Sequence, residues 1–368
     1  MKRKQYLFIL VFIGIALTFS ACAGAANTAT SWPGLTVDDQ YAYVAYNTQV
    51  YAVDLTNGSE RWHYPAEADN NITFYADPSL AEDGQLIVGS YDYNMYSLNA
   101  ESGVQNWIFP EAENRYIASA LVDNGSIFAP AADENLYSLD QNGRLQWIFN
   151  SEGESWAKPV TNEECDCLFL SSMDHTVYAV DPQNGSEKWR SNELGGAIVG
   201  TPAFNNDGVI YVGTFGGKLI ALNAENGSII WEFSTQDDGW IWSGPTFSDG
   251  VLYFGDLNGY FYAVNADNGT QKWQRSPELD DEEIVGSALV IEDSIYFANI
   301  QGILYKFDTS GKKIWEENVD PADGNGKIYT SPKTSNGLIL VAAVQIDDLL
   351  VAYDEDGIKQ WDFIPPGN

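Results

Sequence analysis

Eight tryptophans recur along the chain at nearly constant intervals, and this recurrence limits the fold more than any other feature. They are Trp62, Trp107, Trp147, Trp189, Trp231, Trp273, Trp315 and Trp361, separated by 45, 40, 42, 42, 42, 42 and 46 residues. A period near 42 without helical spacing of apolar residues predicts propeller blades of four strands each. One repeat shows the pattern. Gly244-Pro245-Thr246-Phe247 opens a strand and Ser248-Asp249-Gly250 turns it; Val251–Gly255 and Tyr260–Asn265 form the next two. Ala266-Asp267-Asn268-Gly269 then turns into a fourth strand, Thr270–Gln274. Val, Tyr, Phe and Ile dominate these runs, and Asp-Gly or Asn-Gly punctuates them. Both strand faces are apolar, which blades stacked face to face require. The expected fold is all-β, an eight-bladed propeller of four antiparallel strands per blade, with no room for helices.

The strongest recurring segment is YAVDPQNGSEKW at Tyr178–Trp189, echoed by the segments ending at Trp62, Trp231 and Trp273. In it, small Ala179 leaves a hollow on the third strand. Asp181 accepts hydrogen bonds at the turn mouth, and Gly185 supplies a left-handed turn residue. The indole is expected over the hollow and against the next blade, its N–H seeking a carbonyl. This pattern resembles the tryptophan-docking motif of pyrroloquinoline-quinone (PQQ) type propellers from about Pro33 to Trp361, which makes the eight tryptophans structural clasps. Asn57, Asn184, Asn226 and Asn268 begin formal glycosylation sequons. Each falls where turn chemistry already expects Asn-Gly.

The first 21 residues read as an export leader: basic Lys2-Arg3-Lys4, an apolar Tyr6–Phe19 run too short to span a membrane, then Ser20-Ala21-Cys22. That ending resembles a lipoprotein lipobox, with Phe19 departing from the usual Leu, and makes Cys22 the lipidated mature N-terminus. Cleavage after Ala23 at an A-x-A site is the alternative. The expected organisation is a leader over 1–21, a tether over 22–30 and one propeller over 31–368. Loss of the three leader cations leaves 15 Lys and Arg against 52 Asp and Glu, a net charge of −37. Such a surface disfavours nucleic acid and anionic headgroups, leaving the lipid as the membrane contact. Cys165 and Cys167, on an extended strand, would stand ~6.7 Å apart at Cα, so a reduced structural pair is expected.

Two relatives of this fold differ in function. Quinoprotein dehydrogenases hold PQQ and calcium above the central channel; the BamB-type lipoproteins, similar in length, carry no cofactor and bind partners during outer-membrane β-barrel assembly. The repeats consume nearly the whole chain, leaving no long loops to shape a quinone pocket. There is no vicinal Cys-Cys and no C-x-x-C-H, and His63 and His175 lack a recognisable nucleophile partner. The run Asp320-Pro-Ala-Asp323-Gly324-Asn325-Gly326 departs from calcium-loop register, and Glu278–Glu283 reads as a solvated loop. The expectation is therefore an extracytoplasmic, lipid-anchored, monomeric scaffold, not an enzyme, without PQQ, calcium or another metal. The alternatives are a PQQ-dependent dehydrogenase-like or a carbohydrate-binding or processing propeller.

The partner site is expected where the chain crosses from rim to axis. The first strands start near Pro33, Pro78, Ser119, Pro159, Pro202, Pro245, Ala288 and Pro332. Three residues before each stand Thr30, Tyr75, Tyr116, Trp156, Val199, Trp242, Val285 and Tyr329. With Trp240 alongside, Tyr75, Tyr116, Trp156, Trp242 and Tyr329 form an aromatic candidate site for an envelope protein or a sugar.

Overall fold

The computed structural model describes residues 31–366 apart from 163–164, 206 and 276–281. Cys22, Thr30, the leader and the tether lie outside those residues, as does most of the acidic run Glu278–Glu283. The described chain forms eight antiparallel sheets, each built from strands consecutive in sequence. The repeat analysed above becomes Thr246–Ser248, Val251–Gly255, Phe261–Asn265 and Gln271–Arg275. The expected boundaries hold to within about two residues. Two details depart from pure four-stranded repetition. A 3-10 turn occupies Gln236–Asp238, and a short extra strand, Lys327–Ile328, pairs with Leu338–Val344 in the eighth blade.

Among the described residues, eight apolar clusters occupy the eight interfaces between successive blades. Between the fifth and sixth blades, Tyr211, Leu219 and Ala221 pack on Leu252, Phe254, Tyr262 and Val264. Between the eighth and first, Leu340, Ala342, Leu350 and Phe363 meet Leu35, Val44 and Val53. The middle strands are thus covered on both faces, and apolar area removed from water drives each contact. Outermost strands have a wet side; Ile148, Ile230 and Ile314 on them stay exposed.

The tryptophans join these layers by a repeated device. Each stands in register with one residue of its neighbouring third strand: Ala221 with Trp231, Ala263 with Trp273, Lys306 with Trp315. A bulge follows each pair. The indole then reaches forward. Trp231 Nε1 donates to the Ala266 carbonyl of the next blade at 3.0 Å, and Trp62 Nε1 to Ala100 at 2.9 Å. The glycine beneath the ring also belongs to the next blade. Gly269 has φ +69°, and a Cβ there would lie 2.6 Å from Trp231 Cε3. Trp361 Nε1 closes the circle on Leu55 O at 2.9 Å, over Gly58. Among the described residues no strand is exchanged between the first and last blades. In the seventh blade Lys306 replaces the small residue, and its ammonium goes to Glu355 O at 2.8 Å and over the Tyr296 ring.

The cysteine expectation is corrected. Cys165 and Cys167 are joined in a disulfide, with Cα atoms 5.2 Å apart. Cys165 and Asp166 form a turn rather than extended strand, and Asp166 at φ 51° draws the two Cα atoms together.

Candidate functional site

At one mouth of the axial channel, every blade contributes the segment preceding its inner strand to a cavity of about 180 Å³. Alternation along these extended segments places residues two apart on the same side. The outer positions are Trp32, Tyr75, Ile117, Trp156, Val199, Trp242, Val285 and Tyr329; two residues further on, Asp77, Ser119, Lys158, Thr201, Gly244, Ser287 and Ser331 line the same space.

Four of the expected residues, Tyr75, Trp156, Trp242 and Tyr329, are brought together there. Tyr116 is not. It is fully buried in the interface between the second and third blades, its Cβ against Gly89 and its amide donating to Ser90 O at 3.1 Å. Ile117, one residue further on, takes the channel position. In the first blade Trp32 stands at the mouth, and the expected Thr30 lies outside the described residues. The ring keeps five aromatic members of eight. Proline does not mark the inner strand uniformly: Pro33 lies within the lining itself.

These rings touch in series. Trp32 stacks on Tyr329 and packs against Tyr75 and Trp242, with centroids 5.6 and 5.3 Å away. Trp242 contacts Phe215 at 5.3 Å and Trp156 at 6.4 Å. Trp240 lies over Phe215 at 5.1 Å with planes 14° apart, and is 52% exposed. On the other side Tyr75 stacks on Tyr91, and Arg115 sits 5.1 Å over that ring. Trp156 Nε1 donates to Glu154 Oε2 at 2.8 Å, which fixes the indole's orientation. Burial pushes the Tyr75 hydroxyl well above the ordinary phenol range and raises that of Tyr329. Neither phenol ionises near neutrality, so the band is an uncharged platform.

Below the platform the chemistry changes. Asp77 accepts the Leu35 amide at 2.9 Å through Oδ1 and the Lys333 ammonium at 2.9 Å through Oδ2. Lys158 is partly buried, and burial first, then repulsion from Lys333, holds its ammonium below the usual lysine range.

Other acidic groups have structural duties. The Asp320 carboxylate accepts the amides of Asn325 and Asp323 at 2.8 and 3.3 Å, and the Asn325 bond is the main reason it sits below the usual carboxylate range. That run is a self-capped turn. Buried Asp256 takes the Tyr262 hydroxyl at 2.8 Å and the amides of Asn258 and Tyr260. His63 pairs with Glu60 at 2.7 Å, and His175 sits in a turn at φ 74°. Among the described residues, no group of three or more His, Cys, Asp or Glu could share a metal ion. No described helix is long and apolar enough to cross a membrane.

Comparison with known proteins places this geometry in context. The family model described as "Outer membrane protein assembly factor BamB" matches residues 23–154 and 173–329, more than half of the chain. A search of curated proteins finds no match. Among solved structures, BamB from Moraxella catarrhalis is 18% identical with a TM-score of 0.71, covering 86% of this chain and 92% of that one. A europium-containing methanol dehydrogenase is 13% identical with a TM-score of 0.72, covering 85% and 84%. The computationally designed Ika8 protein is 14% identical with a TM-score of 0.69, covering 91% and 98%. At these identities the structural likenesses speak for the fold alone.

Proposed function

We propose that this chain, which belongs to the family of the outer membrane protein assembly factor BamB, is a non-catalytic protein-binding scaffold of the bacterial cell envelope. It is exported and held to a membrane by lipid on Cys22, and it acts in protein assembly as a monomer. The observation that carries the reading is the aromatic band at the channel mouth, above all Trp240, exposed on a polar rim without a blade core to fill. Large aromatic side chains in such a position supply contact area at low cost in side-chain entropy, and binding energy concentrates on them.

The resemblance of the tryptophan clasps to those of PQQ-type propellers raises PQQ as a cofactor. The residues present do not fit it. The cavity is about 180 Å³, small for a three-ring quinone, and the Trp32–Tyr329 pair occupies its mouth. No catalytic step is therefore derived through a quinone, and the scaffold reading includes the absence of PQQ and calcium. Calorimetric titration of the purified protein with PQQ and calcium should give no saturable heat.

The test of the scaffold is partner capture from detergent-extracted membranes, comparing the wild type with Trp240→Ala and Trp156→Ala. Trp242 contacts three rings and is a poorer first choice, since its loss disturbs packing as well as surface. Enrichment of envelope proteins that disappears in Trp240→Ala at unchanged melting temperature supports the reading. Equal capture by both variants moves the site away from this mouth. Enrichment only on immobilised glycans makes the band a sugar platform instead.

A further inference from the structure

We propose that the channel beneath the aromatic band is a binding site for a single carboxylate group, which Lys158 receives, with the ligand's flat apolar body lying against the free faces of Trp156 and Trp242. This goes beyond the scaffold reading and does not depend on it. Lys158 and Asp77 line the cavity, and Lys333, paired with Asp77, is close enough for its ammonium to repel that of Lys158. Asp77 is already committed. Its two oxygens hold the Leu35 amide and Lys333. Lys158 makes no hydrogen bond or ion pair with another described residue, although it lines the cavity. One positive charge is left over, inside a chain whose formal net charge is −34. An ammonium with three donors and no hydrogen-bond partner among the described residues is left to water in a partly desolvated site, and a ligand's carboxylate oxygen is the stronger acceptor.

The rest of the cavity fixes the class of ligand. The surplus of one charge matches one carboxylate and falls short of a phosphate monoester, which carries nearly two. Ser119, Thr201 and Ser287 line the same level and offer hydroxyls to the second carboxylate oxygen. A volume of about 180 Å³ holds about six waters at ~30 Å³ each. It takes the head of a ligand, while the body must lie among the aromatic rings above. The carboxylate comes either from a free aromatic acid or from the C-terminus of a polypeptide ending in an aromatic residue.

Calorimetry on the full chain separates the two sources. The probes are sodium benzoate, the tripeptide Gly-Gly-Phe as free acid, and the same peptide with an amidated C-terminus. Saturable binding of either acid, weakened about tenfold or more in Lys158→Met, as expected on losing one charge-assisted hydrogen bond, is the predicted result. Benzoate binding assigns the site to free acids; binding of the peptide acid alone assigns it to chain ends. Asp77→Asn, which keeps the acceptor for Leu35 while removing the competing charge, should tighten binding severalfold. The proposal is overturned if neither acid binds, if the amidated peptide binds as well as the acid, or if folded Lys158→Met binds as the wild type does. Unchanged or weaker binding by Asp77→Asn at normal melting temperature overturns it as well.

Discussion

Trp32 lies flat against Tyr329, ring centroids 4.5 Å apart and planes within 2° of parallel, so the first and last blades meet at the channel mouth. The stack adds to the Trp361–Leu55 hydrogen bond, which joins the same two blades farther from the mouth along the outer strand. An aromatic pair of this kind contributes about 0.5–1.5 kcal/mol beyond its buried area. A double-mutant cycle of Trp32→Leu and Tyr329→Leu, read by denaturant midpoints, should give a coupling of about 1 kcal/mol. Strict additivity would show that the rings touch without stabilising the closure.

His63 offers a local probe of the first blade. Its hydrogen bond to Glu60 is the main cause raising its pKa above the ordinary histidine value. A raised folded-state pKa means that this contribution is fully present below the unfolded value. It is lost as pH rises through the folded value. NMR titration should place His63 above its ordinary 6.5, and Glu60→Gln should bring it back toward that value. The pair is partly exposed, so the effect on global stability will be small.

The sequence makes the clasps legible because each one is local. The spacing from Ala221 to Trp231 is set by a two-strand hairpin, and hairpin geometry is fixed by nearby turn residues. What the indole lands on is not local. Gly269 lies 38 residues after Trp231, and its role as the seat of the ring emerges only when blades stack. A second repeated device was readable and missed. Asp133 and Asp174, in the turn before the third strand, each accept the hydroxyl of a tyrosine four residues on, Tyr137 and Tyr178. The mouth depends on the phase of each inner strand, where a slip of one residue exchanges faces. That slip carried Tyr116 from the channel into the core. Lys158 gave no signal at all, because its meaning comes from Asp77 and Lys333 on other blades.

Lipidation at Cys22 is testable without reference to the propeller. Cells fed an alkyne fatty acid should label the wild type, and Cys22→Ser should remove the label. Equal labelling of both proteins would sink the anchor and return the leader to ordinary cleavage near Ala23.

Charge should make stability depend on salt. The described ion pairs are partly exposed, such as Arg190 with Glu152 and Glu187, and Lys218 with Glu232. Pairs of this kind contribute little, so the acidic excess remains largely uncompensated. The melting temperature should rise between low and moderate sodium chloride as the Debye length shrinks from about 30 to 8 Å. A flat response would mean that self-repulsion is not a significant destabilising term.

The clasp itself makes the sharpest contrast, because the same residue type occurs in two settings only nine residues apart, at Trp231 and Trp240. Trp231 packs between Ala221 in its own sheet and Gly269 in the next, and donates to Ala266 O. Trp240 stacks on Phe215 and otherwise faces water. Trp231→Ala should therefore cost about 3–5 kcal/mol, the range for truncating a large aromatic at a packed interface. The Ala266 carbonyl keeps a bond from the Tyr211 hydroxyl at 3.2 Å, so it adds little to that loss. Trp240→Ala should cost about 1 kcal/mol or less. Gly269→Ala attacks the clasp from the opposite side. It places a side chain in the left-handed region, a cost of about 1–2 kcal/mol, and drives a methyl into the indole. If the ring's seat is as described, Gly269→Ala combined with Trp231→Ala should cost less than the two separately, since the clash disappears with the ring. Denaturant midpoints that add without coupling would place the indole elsewhere.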